Sequence, residues 1–197
     1  MAAPPERTIQ DLNGVWTMNK SLSDDYDRIL QMQGVSWFLR KAISYATITL
    51  TINQYVDDTA EKYTHIDIAQ VATGGVGATQ EKRLLDFTWR EHQDRIFGKV
   101  KGKSRWIKLA DIDEDDFLKT GYDDMEGEHV QALAESLENG WTADQVWGFE
   151  QVDGKRHHVR HVIVRKGDDW KQARLVYDYK GPLEKKSDDD DDLAYGE

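Results

Sequence analysis

The chain has 197 residues, no cysteine, 10% aromatic residues and a formal net charge of -11. That length suits one domain with a sizeable core, the lack of cysteine excludes disulfides, thiolate nucleophiles and Cys-ligated metal sites, and the acidity excludes a general attraction to nucleic acid or anionic lipid. No stretch approaches the roughly 20 apolar residues of a membrane-spanning helix, and MAAPPERTIQ lacks the apolar segment of a secretory leader, so a cytoplasmic protein without stable membrane insertion is expected.

Residues 1–10 contain Pro4 and Pro5 and little that packs, which predicts a flexible lead-in; residues 11–182 are expected to form the one domain, and 183–197, with Asp188 to Asp192 in succession, an acidic disordered tail. Gly14 to Ser21 predicts a first strand with Trp16 and Met18 on one face. Ser23 offers a helix N-cap, with Asp24 and Asp25 favoured in the first turn by the helix dipole. A helix to about Gln33 follows, Gly34 breaks it, and Val35 to Ile43 gives a second helix with Trp37, Phe38 and Leu39 apolar.

From Ala46 the period changes. Ile48, Leu50 and Ile52 alternate with Thr47, Thr49 and Thr51, the pattern of a half-buried strand. Short turns at Asp57-Asp58, at Gly74-Gly75 and at Gln93-Asp94 separate KYTHIDIAQVA, EKRLLDFTWREH and RIFGKVKGKSRWIKLA, and short turns favour antiparallel neighbours. Val130, Leu133, Ala134 and Leu137 share a helical face, which predicts an inserted amphipathic helix ended by Asn139-Gly140. Three strands close the pattern, WTADQVWGFEQV, HHVRHVIVRK and WKQARLVYDYK, the first two joined by a hairpin at Asp153-Gly154. The elements predict an all-β fold: an up-and-down antiparallel β-barrel of about eight to ten strands with a helix-turn-helix lid and one inserted helix. A barrel of about eight strands encloses one small ligand.

Gly14-x-Trp16, Asp24-Asp25-Tyr26, the hinge Gly34-Val35, the pair Arg40-Lys41 and the strand from Thr47, together with QVWGFEQVDGK and Tyr177 near the end, resemble the intracellular fatty-acid-binding proteins, lipocalin-like members of the calycin superfamily. The resemblance implies a flattened calycin-type barrel whose cavity is entered beneath the helix pair and holds a small hydrophobic molecule. It also implies that a carboxylate ligand is held by an arginine on a late strand and an Arg-x-Tyr on the last. Here the first position falls on Phe149, and Arg174 and Tyr177, three residues apart on a strand, point to opposite faces. The ligand expected is therefore neutral or only weakly acidic. The chain also resembles filamentous-fungal proteins of natural-product pathways, which implies a polyketide- or terpenoid-like substrate.

Tyr177 facing inward brings Leu175 and Tyr179 with it and makes that cavity end aromatic and neutral, although strand tyrosines packing a wall explain the same pattern. Trp37, Phe38, Phe87, Trp89, Trp147, Phe149, Tyr177 and Tyr179 are the expected ligand-binding residues. Alternation puts His157, Val159, His161 and Ile163 on one strand face and Arg156, His158, Arg160, Val162 and Val164 on the other. His157 and His161 then lie roughly 13 Å apart, too far to share a metal, and neither a metal nor a cofactor is expected. The first functional expectation is a carrier of a small hydrophobic molecule. The alternative is a cofactor-independent cyclase or isomerase in the same cavity, with Tyr177, Tyr179, His161 and His65 as candidate catalytic groups.

Overall fold

The computed structural model describes residues 1–113 and 115–183. The acidic tail expected over 183–197 therefore falls, from residue 184 on, outside the described residues. Ten antiparallel strands form one sheet. β1 (Gly14–Met18) pairs with β2 (Ile48–Val56) on one side and β10 (Asp169–Gly181) on the other. β3 (Thr64–Ala72) and β4 (Gly77–Leu84) continue from β2, while β9 (Lys155–Lys166), β8 (Trp141–Val152), β7 (Glu128–Ser136), β6 (Gly98–Lys108) and β5 (Arg90–Asp94) continue from β10. β4 and β5 end the sheet without pairing to each other, so the barrel is nearly closed, with one seam.

The strand alternation sorts apolar side chains inward: Leu50, Ile52, Ile66, Ile68 and Val130 are buried inside, while Thr51 and Asn53 face out. Trp16 plugs the end opposite the lid. Its indole N–H donates to the Leu12 carbonyl at 2.8 Å, and its ring meets those of Phe149, His158 and Tyr179 edge-on. That hydrogen bond lets a large aromatic be buried without stranding its polar atom.

The lid is α1 (Asp27–Met32) and α2 (Trp37–Tyr45), joined through Gly34, whose φ of +86° suits a residue without a Cβ. Ser36 caps α2 by accepting the Leu39 N–H. At the other end of α2 the Lys20 ammonium donates to the carbonyls of Ile43, Ser44 and Ala46, where the dipole is negative. Ser23 is not a helix cap. Its hydroxyl donates to the Asn19 carbonyl and accepts from Val176 N–H, and Asp24 accepts from Arg174 N–H, so 23–25 is tied to β10 before the helix begins.

Three further expectations are corrected. The stretch expected as an inserted helix is strand β7, because β6 and β8 flank it and offer backbone partners on both sides, which overrides a local helical spacing. The run expected as one strand through Trp89 breaks after Leu84, turns at Phe87 with φ +57°, and restarts at Arg90. The lead-in is packed: Ala3 and Ile9 are buried, Ala3 N–H donates to the Arg156 carbonyl, and Arg156 returns bonds to the carbonyls of Pro4 and Arg7.

Residues between β6 and β7 form two 3-10 turns, Leu109–Asp111 and Asp116–Lys119, laid over the outer faces of β8 and β9. Leu109, Ile112, Leu118 and Tyr122 cover Val146, Val159, Ile163 and Val176 there, a second core outside the barrel. His161 is part of this outer core. Its Nδ1 lies 2.6 Å from the Phe117 carbonyl and its Nε2 2.5 Å from Glu150, which also meets Arg174 at 3.2 Å. On the inner face, His158 is wholly buried; its Nδ1 lies 3.0 Å from the Gly148 carbonyl, so that nitrogen carries the proton. Burial first, then the Arg160 charge, lower the His158 pKa to about 3.

Two outcomes follow. His161→Ala should lower unfolding stability by about 3 kcal/mol in denaturant titration, because it leaves the buried Glu150 carboxylate short of a partner, without altering ligand affinity of the cavity. His158 is neutral in the fold and basic when unfolded, so its contribution is complete above about pH 6.5 and is lost as the pH falls toward 3. Between pH 6.5 and 5 the wild type should lose roughly 2 kcal/mol that His158→Gln does not lose.

Candidate functional site

Beneath the lid the barrel encloses a cavity of about 660 Å³. Ile29 and Leu30 of α1 and Ile43 of α2 roof it, and Val100, Trp141, Val162 and Leu175 supply apolar wall. The β4–β5 seam forms its open side, with residues of both strands among its lining. A volume of this size suits a ligand of drug-like dimensions.

One part of the wall is polar and charged. Arg160 on β9 stands opposite Trp147 of β8 and Leu175 of β10 in the sheet register. Its guanidinium carbon lies 3.9 Å from the Trp147 ring centroid and 5.1 Å from that of Tyr177, and its Nε donates to His158 Nε2 at 3.4 Å. Arg83 on β4 reaches the same indole, 5.2 Å from its centroid. It is held by two bonds to Glu81 Oε2, at 3.0 and 2.6 Å, and a third to Ser104 Oγ at 3.3 Å. The Trp147 N–H donates to Gln145, another cavity-lining side chain. An aromatic face stabilises a desolvated guanidinium through its quadrupole, which explains why Trp147 lies against both.

The charges respond to one another. Burial opposes ionisation of Glu81, but Arg83 and Arg160 outweigh it and hold the carboxyl below its ordinary range. A third of the Glu81 side chain is accessible, and Glu81 is among the cavity-lining residues. Burial lowers the Arg160 pKa, against the pull of Tyr177 and Glu81, yet an arginine stays protonated. Tyr177 is raised by burial, which outweighs Arg160, and Tyr26 is pushed up to about 12 by burial and by Tyr177. Both phenols therefore act as neutral hydrogen-bond donors rather than bases at neutral pH.

Of the residues expected at the site, Tyr177 lines the cavity, and Trp147 and Phe149 face inward in the same core. Tyr179 lies at the plugged end against Trp16 and the Arg7 guanidinium. His65 pairs with Asp57 at 3.0 Å and stacks on the half-exposed Tyr55, and it does not line the cavity. His161 is outside the barrel, as described. Trp37 and Phe38 point outward from α2, 56% and 79% exposed, and meet each other rather than the cavity. Phe87 and Trp89 lie on the outer side of β6, under the side chain of Lys103 at 3.7 and 4.6 Å. The expected aromatic, neutral cavity end is corrected by Arg160 and Arg83, which make it cationic.

Arg160, Arg83, Glu81 and Ser104 are the groups that sequence reasoning passed over. A signal existed for Arg160, a charge on the same strand face as Val162 and Val164, where a solvated residue would not be placed. Glu81 and Arg83 likewise share one face of β4. Among the described residues no group of His, Asp and Glu is arranged to hold a metal ion, and no helix is long and apolar enough to cross a membrane.

No protein-family model matches the chain. Among solved structures, the fluorescent protein UnaG superposes with a TM-score of 0.53 at 17% identity, over 86% of this chain and 97% of that one. A Schistosoma mansoni fatty acid binding protein in complex with arachidonic acid does so with 0.50 at 16%, over 87% and 96%. These likenesses place the fold among the fatty-acid-binding-protein-like calycin barrels. In sequence, the chain is 34% identical over 182 residues to the probable pericyclase scpY of Mollisia scopiformis, covering 92% of this chain and 96% of the relative. It is 32% identical over 184 residues to the pericyclase pydY of an Acremonium species, covering 92% and 98%. At that identity over nearly the whole of each sequence, the chain belongs to the family of these fungal pericyclases.

Proposed function

We propose that the chain is an enzyme of natural-product assembly that folds a hydrophobic, polyene-bearing substrate in its cavity and accelerates a pericyclic ring closure. The observation that carries this reading is the pairing of an enclosed, largely apolar cavity of about 660 Å³ with a buried cationic cluster at Arg160 and Arg83. The pericyclase relatives support it from an independent direction.

A pericyclic closure moves electrons around a ring of reacting atoms and calls for neither nucleophile nor proton transfer. What a protein supplies is position and field. The wall of Val100, Trp141, Val162 and Leu175 packs a coiled substrate against itself, and holding the reacting ends together removes much of the entropic barrier. The Arg160 guanidinium, fixed by His158 and Trp147, donates to a substrate carbonyl and draws electron density from a conjugated alkene. Tyr177 stands beside it as a neutral donor.

Hydrophobic ligand binding without chemistry is the second reading, supported by the same apolar wall. The two part on product analysis. Incubating the protein with the acyclic precursor that accumulates when its gene is deleted from the producing organism should yield a product of identical mass, one stereochemical series and reduced polyene absorbance. Precursor recovered unchanged at the uncatalysed rate refutes the enzyme reading and leaves the carrier. Arg160→Met should lower the cyclisation rate by about 100-fold, the usual loss on removing one preorganised donor, without loss of the folded state by circular dichroism.

A further inference from the structure

The charge inventory of the cavity says more about what it receives. The Arg83 guanidinium is neutralised by Glu81 through two hydrogen bonds. Among the described residues Arg160 has no such partner: its one hydrogen bond goes to neutral His158, Glu81 acts on it through space but is bonded to Arg83 instead, and its buried Nη2 has no hydrogen-bond partner. Arg160 is 7% exposed and lines the cavity. Tyr177 and Tyr26, the phenols nearest the cluster, are neutral. The remaining charged lining residues, Lys82, Arg90, Glu91 and Asp94, sit on the strands of the open seam, where Arg90 is paired with Asp86, and Lys103 lies against Phe87 and Trp89 on the outer side of β6. The enclosed end thus holds one uncompensated positive charge.

A buried cation without a counterion is costly, and cation–π contacts with Trp147 offset only part of that cost. The charge is complete when a ligand brings one negative charge. We infer that the substrate is a monoanion, a planar delocalised oxyanion such as a carboxylate or the enolate of an acidic dicarbonyl, seated on Arg160 with its apolar chain against the wall of Val162 and Leu175. A guanidinium meets a planar pair of oxygens with two parallel hydrogen bonds, which an ammonium or a hydroxyl cannot match. This rests on the cavity being the reaction site, and it sets Arg160 as the residue that discriminates by head-group charge.

All-trans-retinoic acid, retinol and retinylamine share one polyene and differ in the charge of the head, so they serve as probes. Titrated at pH 7.5 and read by quenching of tryptophan fluorescence, retinoic acid should bind about tenfold more tightly than retinol, and retinylamine most weakly. Arg160→Met should bring retinoic acid down to the level of retinol while changing retinol affinity less than about threefold, and Arg160→Lys should keep part of the preference. Equal binding of acid and alcohol by the wild type, or a preference that survives Arg160→Met, overturns the inference and leaves the cavity reading standing. Failure of all three to bind overturns the cavity reading and this inference together.

Discussion

Strands β8 and β9 are buried on both faces, and the rest of the structure depends on that double burial. Along β9 every residue from His157 to Val164 is buried. The inner face belongs to the barrel, while the outer one lies beneath the two 3-10 turns, with Val146, Val159 and Ile163 in the second core. The fit between layers is close: a Cβ on Gly148 would come within 2.5 Å of the Tyr122 ring. A wall packed from both sides yields little, and it is this wall that bears Trp147, His158 and Arg160. Rigid support is what a site working by position requires, since a displacement of an ångström forfeits most of the advantage of proximity.

The cationic cluster shows how the fold tolerates charge in an apolar setting. Register alone places Arg160 across from Trp147 and His158 across from Phe149 and Tyr177, so the guanidinium meets a π-face and the imidazole meets two aromatic rings, with Trp16 and Trp147 also against it. The Gly148 carbonyl fixes the His158 tautomer, which leaves Nε2 as an acceptor for Arg160. Each polar group in this chain of contacts orients the next, and the last of them faces the cavity. Arg83 arrives from the other side of the barrel, so the cluster also ties β4, at the unpaired seam, to the rigid wall.

Several elements were legible in the residues because their signals are local. The Ile48, Leu50, Ile52 alternation became β2, Gly34 became the hinge between the lid helices, and Asp153-Gly154, with φ of +50° and +72°, made the tight hairpin between β8 and β9. Other elements were misread for physical reasons. In residues 128–136 the helical spacing of Val130, Leu133 and Ala134 lost to the backbone demand of two neighbouring strands, and in 85–89 a turn at a positive-φ phenylalanine was invisible within an apolar run. At the site, parity correctly grouped His158 with Arg160 and His157 with His161, but it gave no means of telling which group faced the cavity, since both faces turned out to be buried.

What the sequence by itself determined is the barrel, its lid and the absence of cysteine chemistry, because side-chain alternation, glycine positions and composition act over a few residues at a time. What only the tertiary structure decided is the identity of the site. Arg83, Glu81 and Ser104 come from β4 and β6, far from Arg160 in the chain, and they converge only once the sheet has curled on itself. The unpaired charge at Arg160 is visible only then, because whether a guanidinium has a counterion depends on every strand that faces it, and no local pattern along the chain records which strands those are.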